Sequence, residues 1–290
     1  MTGGWVILDK SSGLFSRTAG GRVARMVGIK KFGHIGTLDP MASGVLAVAI
    51  GDATKMIPFI EDANPDIKEY LFSVVFGIET DTLDITGNII KRVDVVPSAN
   101  DIRDVLPKFI GDITQIPPAY SAVHVDGTRA YELARRGTAV DMPPRNVHIF
   151  DLEMTDFSGN TANFRVRCSR GTYVRSLGRD IAHAIGTIAT VDMIRRTVSG
   201  AFDIKSALKL DFLENLFNNG GDISEYLMPI DYGLGDIPVC NLTDKDAKYF
   251  RVGGFIPITG VNGLCRVYDG DKFIGIGNVT DGCLRPKRTI

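Results

Sequence analysis

The sequence predicts an α+β fold built on a mixed sheet, followed by a small β domain. Three observations lead there. Strand-like segments outnumber helix-like ones, and the two kinds do not alternate as a doubly wound fold requires. From about Ile237 the pattern changes: "CRVYDGDKFIGIGNV" reads as a hairpin around Asp269-Gly270, with "RPKR" after it. The composition is ordinary for a globular chain, 44% hydrophobic and 23% charged, and 290 residues suffice for one large domain with a small appendage.

Each element follows from local pattern. "WVILDK" (Trp5 to Lys10) reads as a first strand, and "SRTAGGRVARMVG" as a helix weakened by Gly20 and Gly21. "GVLAVAIG" has apolar residues in both phases, as a strand buried on both faces does. "KEYLFSVVFGI" alternates Tyr70, Phe72, Val74 and Phe76, another strand. Ser98 opens "SANDIRDVLPKFIG" as a helix, with Asp101 imitating a capping box. "QIPPAYSAVHVDGTRAYELARRG" carries turn signals at Pro117-Pro118 and Asp126-Gly127, then a short helix ending at Gly137; it reads as a protruding arm. "VHIFDLEMTDF" and "TANFRVRCS" are strands. "GTYVRSLGRDIAHAIG" is a helix with Val174, Leu177, Ile181 and Ala184 on one face and Arg175 and Arg179 on the other.

Composition also excludes. No apolar run approaches the roughly 20 residues of a membrane span, and Asp9 and Lys10 cut the N-terminal apolar run short of a secretory segment, so a cytoplasmic protein is expected. Cys168, Cys240, Cys265 and Cys283 lie far apart without a C-x-x-C or paired histidines, so no metal site is expected. The net charge of −1 argues against a nucleic-acid partner, but its distribution argues for one. Arg165, Arg167, Arg170, Arg175 and Arg179 share a short segment free of acids, and as a cluster they point to an anionic partner.

The stretch "GHIGTLDPMASGV" concentrates chemistry. Asp39 precedes Pro40, which pushes it towards an extended backbone, and Gly36 and Gly44 let another backbone or a ligand come close. Alone, Asp-Pro is a turn signal. "GDATK" lacks the phosphate-loop pattern, so an NTPase is disfavoured, and His34 has no serine, cysteine or second histidine placed to complete a triad.

"GHIGTLDPMASGVL" resembles the signature of the TruB family of tRNA pseudouridine synthases, and other motifs follow in the family's order: "LDKSSG", "GDATK", "KEYLFSVVFGIETDTLD", "IPPAYSAVHVDGTRAYELARRG", "CSRGTYVRSLGRDI" and "MIRRTVSG". The resemblance runs from about Gly4 to Asp231. Ser11 stands where the family usually has Pro, Met41 where Leu is common, and Ile194 where the L-R-R motif has Leu; the last two are volume-conserving swaps.

The resemblance implies a pseudouridine synthase catalytic domain over 1–236 on a mixed, largely antiparallel sheet. An RNA-gripping insertion would lie at about 117–147, and a small PUA-like RNA-binding domain over 237–290. It implies isomerisation of uridine 55 in the T arm of tRNA, with base flipping, no cofactor, no metal and no guide RNA, by a protein expected to be a monomer. Asp39 would be the essential carboxylate, acting as a nucleophile or as a base at the ribose C2′. Arg175 would pair with it and Tyr70 would stack on the uracil. His34, Lys55, Asp84, Tyr173, Arg170 and Ile194 would contact RNA or support the site.

Three rival readings stay open on sequence, one of them a related guide-dependent synthase of RNA–protein particles, against which the "YSAVHVDG…YELARRG" insertion and the absence of a lysine-rich tail favour the stand-alone enzyme. A glycoside hydrolase would use Asp39 with Asp84 as paired carboxylates. An RNA-binding factor would use the same surface without catalysis.

Overall fold

A computed structural model describes residues 3–62 and 67–290. The chain opens with β1 (Gly3–Lys10), α1 (Ser16–Val27), β2 (Phe32–Ile35), β3 (Ser43–Gly51) and α2 (Ile57–Asp62). Then come β4 (Lys68–Phe76), the hairpin of β5 (Ile78–Thr80) and β6 (Ile89–Arg92), α3 (Ala99–Val105) and β7 (Gly111–Gln115). The expected arm holds a small hairpin, β8 (His124–Val125) and β9 (Thr128–Arg129), and α4 (Ala130–Arg135). The first domain ends with β10 (Arg145–Ser158), β11 (Thr161–Cys168), α5 (Val174–Ile185), β12 (Ala189–Ser199), β13 (Phe202–Asp203), β14 (Leu208–Lys209) and α6 (Leu210–Asn218).

Ten of these strands make one mixed sheet in the order β14-β1-β3-β12-β4-β11-β10-β7, with β2 on β3 and β13 on β12. Only the β1–β14 and β3–β12 pairings are parallel. Both phases of β3 are buried, as its apolar pattern predicts, because the sheet is covered twice. Leu46, Val48 and Ile50 join the main core beneath the helices, while Val45, Ala47 and Ala49 join a second cluster with Trp5, Ile7 and Phe202. The capping box at Ser98 and Asp101 forms as expected. Gly20 does not break α1: a Cβ there would stand 3.1 Å from the Phe32 ring, so the glycine lets the helix settle on β2.

One edge of β3 is shared. β2 pairs with Ala47 to Ile50, while β12 pairs with Ser43 and Gly44, so the sheet splits between them. Gly44 makes the second pairing feasible: at φ +99°, an added Cβ would lie 2.1 Å from the Arg196 carbonyl oxygen. The loop from Gly36 to Ala42 drops into this split, and it carries Asp39.

The second domain contains β15 (Val239–Leu242), α7 (Asp244–Arg251), β16 (Ile256–Pro257), β17 (Gly263–Asp269), β18 (Lys272–Thr280) and β19 (Cys283–Thr289). Its sheet order is β15-β17-β18-β19-β16, and β17–β18 is the hairpin expected around Asp269-Gly270. Buried Ile276 of β18, with Phe273 and Ile290, packs into the Trp5 cluster of the first domain. No helix of the described residues is long and apolar enough to cross a membrane.

Candidate active site

A cavity of about 230 Å³ opens at the split, and Asp39, Tyr70, Tyr173, Arg175 and Ile194 all stand in its wall. That is below the roughly 300–1,000 Å³ typical of drug-sized ligand sites, and it suits a single nucleobase.

The Asp39 loop is held at several points. Ala42 N–H donates to the Asp39 carbonyl at 3.1 Å and Gly13 N–H to Pro40 O at 2.7 Å. The Ser16 hydroxyl both donates to Leu38 O and accepts from Leu38 N–H, each at 3.0 Å. Lys10, wholly buried, points its ammonium at Leu14 O (2.7 Å), Ser11 O (3.0 Å) and Pro40 O (3.3 Å). Burial lowers the Lys10 pKa from 10.5 to about 8 against the opposing pull of Asp39, so the group still carries its proton at neutral pH.

Arg175 sits in the first turn of α5, two residues after Tyr173, and only 4% of its side chain is exposed. Its Nε meets Asp39 Oδ2 at 2.9 Å and its Nη1 meets Asp84 Oδ2 at 3.4 Å. Its remaining donors go to Thr82 O (2.9 Å) and Tyr120 O (3.0 Å). The guanidinium is therefore fixed from several sides and holds Asp39 in one orientation, while the carboxylate keeps 38% of its side chain exposed. The sequence pattern placed Arg175 on the solvent side of this helix and Ala184 on its buried side. The structure reverses both, because the start of α5 faces the split, where a carboxylate waits, and its end reaches the surface.

Asp84 lies behind Arg175 rather than in the cavity wall. Its Oδ1 accepts from Thr82 Oγ1 (3.0 Å) and from the backbone N–H (3.0 Å) and hydroxyl (2.5 Å) of Thr86. With 6% of its side chain exposed, it braces the arginine and does not face a ligand as the second acid of a hydrolase would.

Two cations that sequence reasoning passed over complete the wall, Lys68 and Arg196. Both are buried. Arg196 bridges the split: its Nε donates to Val45 O and its Nη2 to Gly36 O, each at 2.8 Å, satisfying carbonyls that β12 and β2 leave unpaired. Gly36, at φ +61°, makes room for it, since a Cβ would stand 2.9 Å from Lys68 Nζ and 3.0 Å from Arg196 Nη1. The glycines around Asp39 thus admit a neighbouring backbone and two buried cations. A period-two signal was available for both residues. Lys68 is two before Tyr70, and Arg196 two after Ile194, so each shares its neighbour's face.

Tyr70 is buried in β4 and lies opposite Arg196. Burial pushes its phenol above the ordinary value, although Arg196 hydrogen-bonds it and pulls the other way, so the ring is neutral at physiological pH.

The remaining expected residues lie outside the cavity wall. His34 sits on β2, its Nδ1 buried with no hydrogen-bond partner among the described residues. Burial and the charges of Arg196 and Arg17 keep this imidazole below its ordinary pKa, hence neutral. Lys55 pairs with Asp52 at 3.0 Å and donates to Thr289 O at 3.2 Å, which fastens the second domain to the first. Arg170 is exposed and caps the end of α2 through Glu61 O at 2.8 Å.

The arginine cluster does not form the free basic face that its sequence suggested. Arg165 is surrounded by Glu69, Asp151 and Glu153 at 2.7–3.3 Å, and Arg179 is bound by Asp180 at 2.8 Å. The acids come from other strands and from the residue just after Arg179, outside the acid-free segment.

Residues 24–174 match the TruB family pseudouridylate synthase N-terminal domain, and residues 238–290 the C-terminal domain of pseudouridine synthase II TruB. The tRNA pseudouridine synthase B of Ehrlichia chaffeensis is 39% identical, covering 98% of each chain. That of Caulobacter vibrioides is 45% identical over 84% of this chain and 78% of its own. Among solved structures, a Cbf5-Nop10-Gar1 complex matches with a TM-score of 0.71 at 24% identity, covering 99% of this chain and 84% of the matched one. An H/ACA RNP bound to a substrate RNA containing 2′-deoxyuridine matches with the same score at 22% identity, with the same coverage. These two likenesses establish the fold, and the sequence matches establish more: the chain belongs to the TruB family of pseudouridylate synthases.

Proposed function

We propose that this synthase isomerises uridine 55 in the T arm of tRNA, without guide RNA, using the Asp39 carboxylate on a flipped-out nucleotide. The carrying observation is the Asp39–Arg175 pair, an exposed carboxylate held at 2.9 Å by a buried guanidinium in the wall of a base-sized cavity. The names of its relatives, tRNA pseudouridine synthase B over nearly the full chain, support tRNA as the substrate.

The reaction breaks the C1′–N1 bond and forms C1′–C5. C5 loses its hydrogen and N1 gains one, so nothing is oxidised or reduced. Turning the base out of its stack costs on the order of a few kcal/mol. A stacking contact with the neutral Tyr70 ring returns about 1–3 kcal/mol. Arg175 keeps Asp39 aimed through the bond changes, and Ile194 and Tyr173 close the apolar side of the cavity. His34, beside the loop, fills space left by the displaced nucleotide.

The test uses the pure protein with a T-arm hairpin carrying [5-³H]uridine. Tritium release mapped to position 55, unchanged by EDTA and needing no guide RNA, is the expected outcome. Asp39→Asn is isosteric and should lower turnover at least a hundredfold while the hairpin dissociation constant stays within a few-fold. Activity appearing only when a guide RNA is added would overturn the stand-alone reading.

A further inference from the structure

The phosphates of a bound RNA need cations, and the arginine segment that the sequence put forward is largely occupied by carboxylates. The structure supplies another surface. Between Ser11 and Leu38 there is no aspartate or glutamate, yet Arg17, Arg22, Arg25, Lys30 and Lys31 fall there, in a chain whose net charge is −1. All five are exposed.

On α1 the apolar side is set by Ala19, Val23 and Ala24, which pack into the main core, so the three arginines share the outward arc. Among the described residues only Arg22 has a carboxylate partner, Glu214 at 3.3 Å. Arg17 lies over the Phe32 ring at 5.9 Å from its centroid, and its charge reaches His34 on the same strand. The helix is also tied to the catalytic loop, since the first residue of α1, Ser16, makes the reciprocal hydrogen bonds to Leu38, next to Asp39.

Building on the proposed RNA substrate, we infer that the outward face of α1, continued by Lys30 and Lys31, is a phosphate-binding ridge for one strand of that RNA, leading to the Asp39 cavity. Arg17 and Arg25 are about 12 Å apart along the helix axis. That length is enough to meet more than one phosphate of the same strand. The ridge starts beside His34 and Asp39 and runs away from them, so it holds the backbone that flanks the flipped nucleotide and leaves the chemistry to the cavity.

Counterion release gives the readout. Arg17→Gln/Arg25→Gln is compared with Arg103→Gln/Lys108→Gln, which removes the same charge from the exposed α3 region beside β10. Binding of the T-arm hairpin is measured from low to moderate salt, with single-turnover conversion at saturating hairpin and thermal unfolding alongside. Each lost phosphate contact flattens the slope of log affinity against log salt by about 0.7–0.9. The α1 pair should therefore flatten it by about 1.5 and raise the dissociation constant about tenfold near 0.1 M salt, with the saturated rate kept within about threefold. The α3 pair should change neither. Equal effects from both pairs would reduce the ridge to general charge, and a lowered saturated rate with unchanged affinity would make α1 a support of the catalytic loop; either overturns the inference. If the wild type binds the hairpin but does not convert it, the proposed function fails while the salt slopes still judge the ridge.

Discussion

Lys10, buried beside the Asp39 loop, gives the site a pH dependence. Lys10 sheds its proton as pH rises through about 8 in the folded protein, but only near 10.5 in the unfolded chain. Between those values the unfolded state binds more protons, so this group makes the fold more stable as pH rises, not less. Its positioning role changes in the opposite direction. A neutral amine has two hydrogens for three carbonyls, and the attraction to Asp39 is gone. Turnover should therefore decline through about pH 8 with no loss of secondary structure by circular dichroism; a flat single-turnover rate from pH 7 to 9.5 would refute this. Tyr70 separates differently. Tyr70→Leu removes the ring and should lower turnover by two orders of magnitude or more, whereas Tyr70→Phe keeps the stacking surface and isolates whatever the hydroxyl bound to Arg196 contributes. Equal rates for the Leu variant and the wild type would leave Tyr70 as core packing.

Elements were legible where one physical pattern dominates. The double-phase apolar run of β3, the alternation of β4, the capping box of α3 and the β17–β18 hairpin all stand as read, since burial period and turn chemistry are local properties. Asp39, Tyr70, Tyr173, Arg175 and Ile194 share one cavity wall. Illegible were the partners of charges. Arg175 turned inward and Arg165 was neutralised because their carboxylates come from segments distant in the sequence, and Lys68 and Arg196 pass for surface residues until their neighbours' phase is counted. The split in the sheet was also hidden, although Gly44 marks it. Gly44→Ala would force both a strained φ and a 2.1 Å encounter with the Arg196 carbonyl. Gly28→Ala shares the positive φ, at +76°, but meets nothing within 4 Å. The Gly28 variant should cost about 1 kcal/mol of stability from strain alone. The Gly44 variant should cost on the order of 3 kcal/mol or more, since β12 must move away from β3. Similar melting temperatures for the two would refute the close-approach account.

For the whole molecule, the second domain is more than an appendage. Ile276 is wholly buried in the Trp5 cluster, Phe273 and Ile290 pack beside it, Lys55 reaches Thr289 O, and Tyr268 and Arg266 both bind Asp231. A chain ending at residue 236 would therefore lose the "RPKR" strand and also uncover one face of its own core. Burying an Ile or Phe side chain is worth about 1.5–3 kcal/mol, so three partly or wholly lost contacts amount to roughly 3–5 kcal/mol. Against a total stability of about 5–15 kcal/mol that is a large share. At about 2–4 °C per kcal/mol for a chain of this length, the truncated protein should unfold on the order of 10 °C below the full chain. Its affinity for the T-arm hairpin should fall as well, and its turnover at saturating hairpin should persist at temperatures where circular dichroism shows it folded, because no residue of the cavity wall lies beyond Arg196. A truncated chain that melts within about 2 °C of the full one would show that the Trp5 cluster closes without the second domain, and the interface would then act in RNA binding alone.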